Sequence, residues 1–431
     1  MDAGLIRDYL AEFSKRQPAG KPVPRQLEVA LKEKFIISTV GPRRAGKTFY
    51  FLQLIDRVGK RDSLYLNFED TRLLDTDFRE IRALLRIFAE LFGKYPKYIF
   101  LDEIQNVKRW ESAVRELYDT FKYRIFVTGS SSKLLSKEIS TQLRGRSLTY
   151  MFLPFSFSEF LESRSFRAEG LTKDEESLLK HLLKEYLEFG GFPDVALSEA
   201  KDKILKDYFD AILFKDVVER HNVRNLHLVN LIFKQMIGNF SKEFSVNAMY
   251  NNFKSQGVKA SKDTIYRYLN FFEDSVSVFF LKRHSEKIRV KESWPRKVYL
   301  SDTGLSRVLK SSEDLGKLME NCVFLQLLRL KNDRPLMEIA YYKDSSGKEV
   351  DFVVKDGDEI EQLIQVTYAS GFADVRKEEM ANLADASKYL KCGNLKVVTW
   401  DCEGQKNVDG HPVEFIPLWK WLLGAAKERQ K

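Results

Sequence analysis

The eight residues Gly41-Pro42-Arg43-Arg44-Ala45-Gly46-Lys47-Thr48 constrain this chain more than any other stretch. They match G-x-x-x-x-G-K-[ST], follow the apolar run Phe35–Val40 and lead into a helical pattern from Phe49 to Val58. Strand, glycine-bent loop and helix N-terminus in that order turn backbone N–H groups and a helix dipole toward an anion. Lys47 is expected to reach the terminal phosphates of a nucleotide, and the Thr48 hydroxyl to take Mg²⁺. Gly41 through Phe49 would then line the phosphates of ATP.

Such a loop needs a sheet behind it. Apolar runs at Leu64–Phe68, Tyr98–Leu101, Arg124–Val127 and Leu148–Leu153, with helical patterns between most of them, predict a parallel sheet covered on both faces. The third run continues into Asp102 and Glu103. Asp102 is the candidate metal ligand and Glu103 the candidate general base for an attacking water. Thr128 and Ser130 end the following strand, where a polar side chain can sense the terminal phosphate. Leu143-Arg144-Gly145-Arg146 offers two arginines to a neighbouring subunit's nucleotide, which implies a homo-oligomer.

At 431 residues the chain is too long for one ordinary core. We expect an N-terminal arm (1–24), a P-loop core (25–156), a helical lid (157–222) broken at Gly190-Gly191-Phe192-Pro193, a helix-rich domain (223–292) and an α/β domain (293–431). In the fourth, Ser261 caps a helix whose apolar face is Ile265, Leu269 and Phe272. Lys262, Thr264 and Arg267 can then face outward. With the strand-like Val276–Lys282 behind it, this pattern predicts a winged helix that lays its second helix on DNA. In the fifth, strand-like pieces are expected at Lys297–Leu300, Ile339–Tyr342, Val350–Val354, Leu363–Thr367 and Lys396–Thr399.

Lys and Arg number 71 against 62 Asp and Glu, a formal charge of +9 that permits a polyanionic partner. Cys322, Cys392 and Cys402 form no C-x-x-C pair, and the five histidines form no H-E-x-x-H motif. Zinc is therefore not expected, and a reduced cytoplasmic setting is. No apolar run approaches the ~20 residues that span a bilayer, so no membrane association is expected.

Taken together, Gly41–Thr48, Phe100-Leu-Asp-Glu-Ile-Gln105, Thr128-Gly-Ser-Ser131, Leu143–Arg146, Pro154-Phe-Ser-Phe-Ser-Glu-Phe160, Phe189-Gly-Gly-Phe-Pro193 and Tyr299-Leu-Ser-Asp-Thr-Gly-Leu305 resemble the AAA+ ATPases. The likeness is to their prokaryotic, largely archaeal branch with a C-terminal domain of unknown function, and it runs over nearly the whole chain. It implies ATP hydrolysis with Mg²⁺ in an oligomer, and a lid turn that brings Pro193 near the adenine. The last domain resembles the restriction-endonuclease-like fold, which implies Glu320 and Asp351 as two members of a metal-binding set. Gln365 and Thr367 stand where that family has Glu and Lys, so the nuclease site is expected to be vestigial. The expected function is ATP-driven remodelling of DNA. A nucleotide-switched protein interaction module without DNA, and an ATP-regulated nuclease, remain as alternatives.

Overall fold

Five short runs of β-branched and aromatic residues form the first sheet: β1 (Ile36–Val40), β2 (Ser63–Asn67), β3 (Tyr98–Asp102), β4 (Arg124–Gly129) and β5 (Ser147–Met151). All are parallel, in the order β2-β3-β4-β1-β5. Every residue of β1 is buried, because it is a central strand of a sheet covered on both faces. β4 lies between β1 and β3, the P-loop arrangement in which an extra strand separates the two motif strands. The structure is a computed structural model that describes all residues except 1–2, 16–21, 74–75, 121, 132–142, 144, 294, 310–313 and 429–431. It divides into two compact units, Met1–Phe152 and Leu153–Lys431.

In the first unit, the segment expected to be an arm contributes a packed helix, Ala3–Lys15. Ile6, Tyr9, Leu10 and Phe13 recur on one helical face and are buried. Phe13 stacks on Tyr65 at 4.8 Å, and the Tyr9 hydroxyl accepts the Asn67 N–H at 3.0 Å. This helix therefore belongs to the layer that covers β2.

The second unit opens with helices Phe157–Ser163 and Lys173–Phe189, each started by a reciprocal capping box, Ser156 with Glu159 and Thr172 with Glu175. Pro193–Ala196 and Lys201–Ala211 follow. Next come helix Leu226–Gly238, β6 (Lys242–Phe244), helices Val246–Ser255 and Lys262–Asp274, β7 (Val278–Leu281) and β8 (Arg296–Leu300). These three strands form an antiparallel sheet in the order β6-β8-β7. β8 lies beyond the expected boundary at 292 yet completes this sheet, so the subdomain closes only near residue 300.

Helix Leu315–Leu330 then leads into a six-stranded sheet of β9 (Met337–Lys343), β10 (Glu349–Asp356), β11 (Glu359–Val366), β12 (Leu395–Thr399), β13 (Gly404–Val408) and β14 (His411–Pro417). The order is β13-β14-β12-β11-β10-β9, with β11, β12 and β14 mutually parallel and the outer pairs antiparallel. Helix Lys377–Leu390 packs Met380, Leu383 and Ala386 against Val350, Leu363 and Val397 of this sheet. All three cysteines are free and buried. Among the described residues, no helix is long and apolar enough to cross a membrane.

Candidate functional site

The loop between β1 and helix Lys47–Val58 needs unusual backbone. Arg44 and Gly46 are left-handed, with φ of 67° and 96°. At Gly41 any Cβ would lie 1.7 Å from the Phe152 carbonyl oxygen, so only glycine fits beside β5. Arg25, absent from the motif, braces the loop from outside: its guanidinium donates to the Ala45 carbonyl at 2.9 Å and sits 4.0 Å over the Phe152 ring.

Lys47 is buried and folded back over the loop, donating to the carbonyls of Gly41 (3.1 Å) and Pro42 (3.0 Å). Its ammonium is 3.5 Å from Glu103 Oε1. The Thr48 hydroxyl donates to Asp102 Oδ2 at 2.7 Å, the Tyr65 hydroxyl to the same oxygen at 2.9 Å, and the Thr128 hydroxyl to Oδ1. Thr128 also accepts the Glu103 N–H at 3.0 Å. One threonine on β4 thus fixes the Asp102 carboxylate and the backbone of Glu103 at the end of β3. Glu103 is itself left-handed, with φ of 51°, which turns its side chain out of the strand register. Gln105 donates to Glu103 Oε2 at 2.6 Å and reaches Ser130 at 3.5 Å.

The two carboxylates are tuned in opposite directions. Burial, reinforced by the charge of Glu103, pushes the Asp102 carboxyl up, against the pull of the Thr128, Thr48 and Tyr65 hydroxyls. Burial also acts to raise Glu103, but Lys47, Gln105, Arg43 and Ser130 outweigh it and hold Glu103 below its ordinary value. Glu103 is therefore anionic at neutral pH, the state a general base requires.

Of the other expected residues in this unit, Arg43 pairs with Glu69 at 2.8 Å and Phe49 is exposed. Arg146 is 3.2 Å from Asp119 and 5.5 Å from the Tyr118 ring. Arg144 lies outside the described residues. Tyr65 and Arg25 were not singled out by the sequence, and Gln105 entered only as the end of the Phe100–Gln105 block. The alternation of β2, which turns Tyr65 to the Asp102 side, carried a signal for Tyr65.

In the second unit, Pro193 starts the short helix after the double-glycine turn. That turn is tied to the Ser301-Asp-Thr-Gly304 block. The Asp302 carboxylate accepts the N–H groups of Gly191 (2.7 Å) and Gly304 (2.9 Å), and a Cβ at Gly190 would meet Asp302 Oδ1 at 1.6 Å. Burial pushes the Asp302 carboxyl up to about 7, despite those N–H groups and Arg329. Arg329 in turn donates to the Pro154 and Phe155 carbonyls at 2.9 and 3.2 Å. The Gly-Gly-Phe-Pro and Ser-Asp-Thr-Gly blocks thus pack on one another.

Thr264 and Arg267 line an open groove of about 880 Å³, together with His221, Arg224, Lys259, Ser261 and Tyr268. Among the described residues, no acidic residue lines it. Lys262 is exposed beside it, 5.5 Å from the Tyr250 ring.

Glu320 and Asp351 do meet, but around a lysine. Lys297 Nζ on β8 lies 2.9 Å from Glu320 Oε1, 2.9 Å from Asp351 Oδ1 and 2.8 Å from Glu349 Oε1. Gln365 accepts the Asp351 N–H at 3.4 Å, and Thr367 lies beside Glu379. Lys297 and Glu349 were missed. The only hint was a lysine inside the apolar run that forms β8.

Comparisons with known proteins divide the chain into three matches. Residues 33–161 match the AAA domain, 180–315 a domain of unknown function (DUF8612) and 315–421 a domain of unknown function (DUF4143). The uncharacterized protein MJ1544 of Methanocaldococcus jannaschii is 37% identical, over 97% of this chain and 94% of its own length. An uncharacterized protein of Haemophilus influenzae is 27% identical, over 90% of this chain and 94% of its own. Among solved structures, Cdc6p from Pyrobaculum aerophilum is similar over 75% of this chain and 98% of that one, with 12% identity and a TM-score of 0.28, too loose to bear on function.

Proposed function

The chain belongs to one family with the Methanocaldococcus jannaschii protein MJ1544, its residues 33–161 match the AAA domain, and from that premise we propose that it binds ATP with Mg²⁺ and hydrolyses it at the Gly41–Thr48 loop. The observation that carries this reading is the hydrogen-bonded relay Thr48–Asp102–Thr128–Glu103–Gln105, which joins loop, metal ligand and base in one buried cluster. The donor set suits a hard cation: a hydroxyl and a carboxylate, both oxygen, meet at the first turn of the loop's helix. Bound Mg²⁺ would neutralise charge on the phosphate oxygens. Lys47, released from the Gly41 and Pro42 carbonyls, pairs with the terminal phosphates. Glu103 accepts a proton from the attacking water, and Gln105 holds its carboxylate in line. Glu103→Gln should retain nucleotide binding but slow hydrolysis by about 10²–10⁴-fold, read as phosphate release alongside fluorescent-nucleotide titration. Equal turnover in wild type and Glu103→Gln would refute the assignment of the base.

The partner we propose is DNA. Helix, β6, two helices, β7, the short helix Ile288–Glu292 and β8, with β8 between the other two strands, supports reading this subdomain as a winged helix. The acid-free groove beside Ser261, with Arg224, Lys259 and Arg267 around it, suits phosphates. Reversing the charges of Lys262 and Arg267 should weaken binding across sequences and flatten the log–log salt slope by about 2. An unchanged slope would move the DNA surface elsewhere. The order helix, three strands, helix, strand after residue 315 supports reading the last domain as restriction-endonuclease-like. ATP-dependent assembly of a homo-oligomer in the cytoplasm completes the proposal. Light scattering with and without nucleotide tests the assembly.

A further inference from the structure

The geometry points to Lys297 as the resident cation of the C-terminal carboxylate cluster: its ammonium takes the place of a divalent metal and turns the cluster into a joint between the three-stranded and six-stranded sheets. This inference stands whether or not the chain acts on DNA.

An ammonium has three donors. Lys297 Nζ has three carboxylate oxygens, from Glu320, Glu349 and Asp351, each within 2.9 Å. The side chain is 2% exposed. Two of these carboxylates take further donors. Tyr299, two residues along β8, donates to Glu320 Oε1 at 2.7 Å, and Asp351 Oδ2 accepts the Val366 N–H at 2.9 Å. The pairing of β10 with β9 shifts register between Val350 and Val353, at the point where Asp351 turns to the lysine. Among the described residues, no group of three or more His, Cys, Asp or Glu is placed to hold a metal ion. The carboxylates are spread for an ammonium.

The cations and anions alternate across the two sheets. Lys343 on β9 pairs with Glu349 at 3.3 Å and with Glu243 on β6 at 2.6 Å, and the Tyr341 hydroxyl reaches Glu243 at 3.1 Å. Lys297 on β8 and Glu243 on β6 therefore bind the small sheet to β9, β10 and the helix carrying Glu320. Removing one member of a buried ionic set leaves the others uncompensated, whereas removing several together restores the balance.

The test uses the full chain and calorimetry with Mn²⁺ as the probe. Wild type should show no Mn²⁺-induced shift that depends on Asp351. Lys297→Met should lower the second unit's unfolding transition by roughly 10 °C. The triple variant Lys297→Met/Glu320→Gln/Asp351→Asn should recover at least half of that loss. If Lys297→Met does not fold, a folded triple variant supports the proposal, and a triple variant that also fails to fold overturns it. A Mn²⁺ shift in wild type that Asp351→Asn abolishes would overturn it. So would a Lys297→Met transition equal to wild type, or Mn²⁺-dependent DNA cleavage lost in Lys297→Met, which would make Lys297 a catalytic lysine.

Discussion

Two buried lysines, Lys47 and Lys297, each face carboxylate, yet they are held in opposite ways. Lys47 touches two backbone carbonyls at 3.0–3.1 Å and one carboxylate at 3.5 Å. Lys297 touches three carboxylates at 2.8–2.9 Å. The first set is exchangeable: an incoming phosphate offers Lys47 a stronger partner than a neutral carbonyl. The second is saturated, since no single anion can outcompete three. The same residue types thus give a binding site when the cation is under-neutralised and a joint when it is over-neutralised.

The largest effect expected from this contrast comes from exchanging the two lysines for methionine. Lys47→Met should abolish ATP hydrolysis and cost the first unit less than Lys297→Met costs the second, since it removes one ion pair at 3.5 Å rather than three at 2.8–2.9 Å. Lys297→Met should cost about 3–5 kcal/mol in the second unit, because three carboxylates lose their counter-ion. Paired ATPase assays and calorimetry check both. A large loss of stability in Lys47→Met would erase the distinction. A smaller effect is expected from pH, and it concerns Asp302. Its folded pKa of about 7 lies above its ordinary 3.8, so its contribution to stability is fully present below pH 3.8 and is lost as pH rises through 7. Asp302→Asn should remove that slope from the melting temperature between pH 4 and 8. A slope unchanged by the substitution would place the titration elsewhere. The smallest effect is expected for Tyr65→Phe, which deletes one of three donors to Asp102 and should cost the first unit about 1 kcal/mol in urea unfolding. A cost above that of Lys297→Met would mean that the P-loop cluster, too, is saturated.

The cluster around Lys47 was legible in the sequence because its parts are local. Loop, lysine and threonine are contiguous, and Asp102-Glu103 ends a strand apolar enough to recognise alone. All five strands of the first sheet were legible for the same reason. The lysine joint was not, because Lys297, Glu320, Glu349 and Asp351 come from one helix and two strands of different sheets. No spacing rule connects them. β13 was invisible for another reason: four of its five residues are exposed at a sheet edge and show no apolar alternation. Helix Ala3–Lys15 showed an amphipathic pattern, but the pattern could not say what its face would meet, which is Tyr65 and the edge of β2.

The same difference in locality sets an order of events on the ribosome. The first unit is finished once Phe152 has emerged, since every strand of its sheet lies upstream. β8 cannot settle on the same schedule. When Lys297 leaves the exit tunnel, two of its three counter-ions, Glu349 and Asp351, are still some fifty codons away. Until they arrive, its ammonium is better solvated by water than by the half-made interior. The small sheet therefore closes late, and the first unit is a finished body while the second is still being translated.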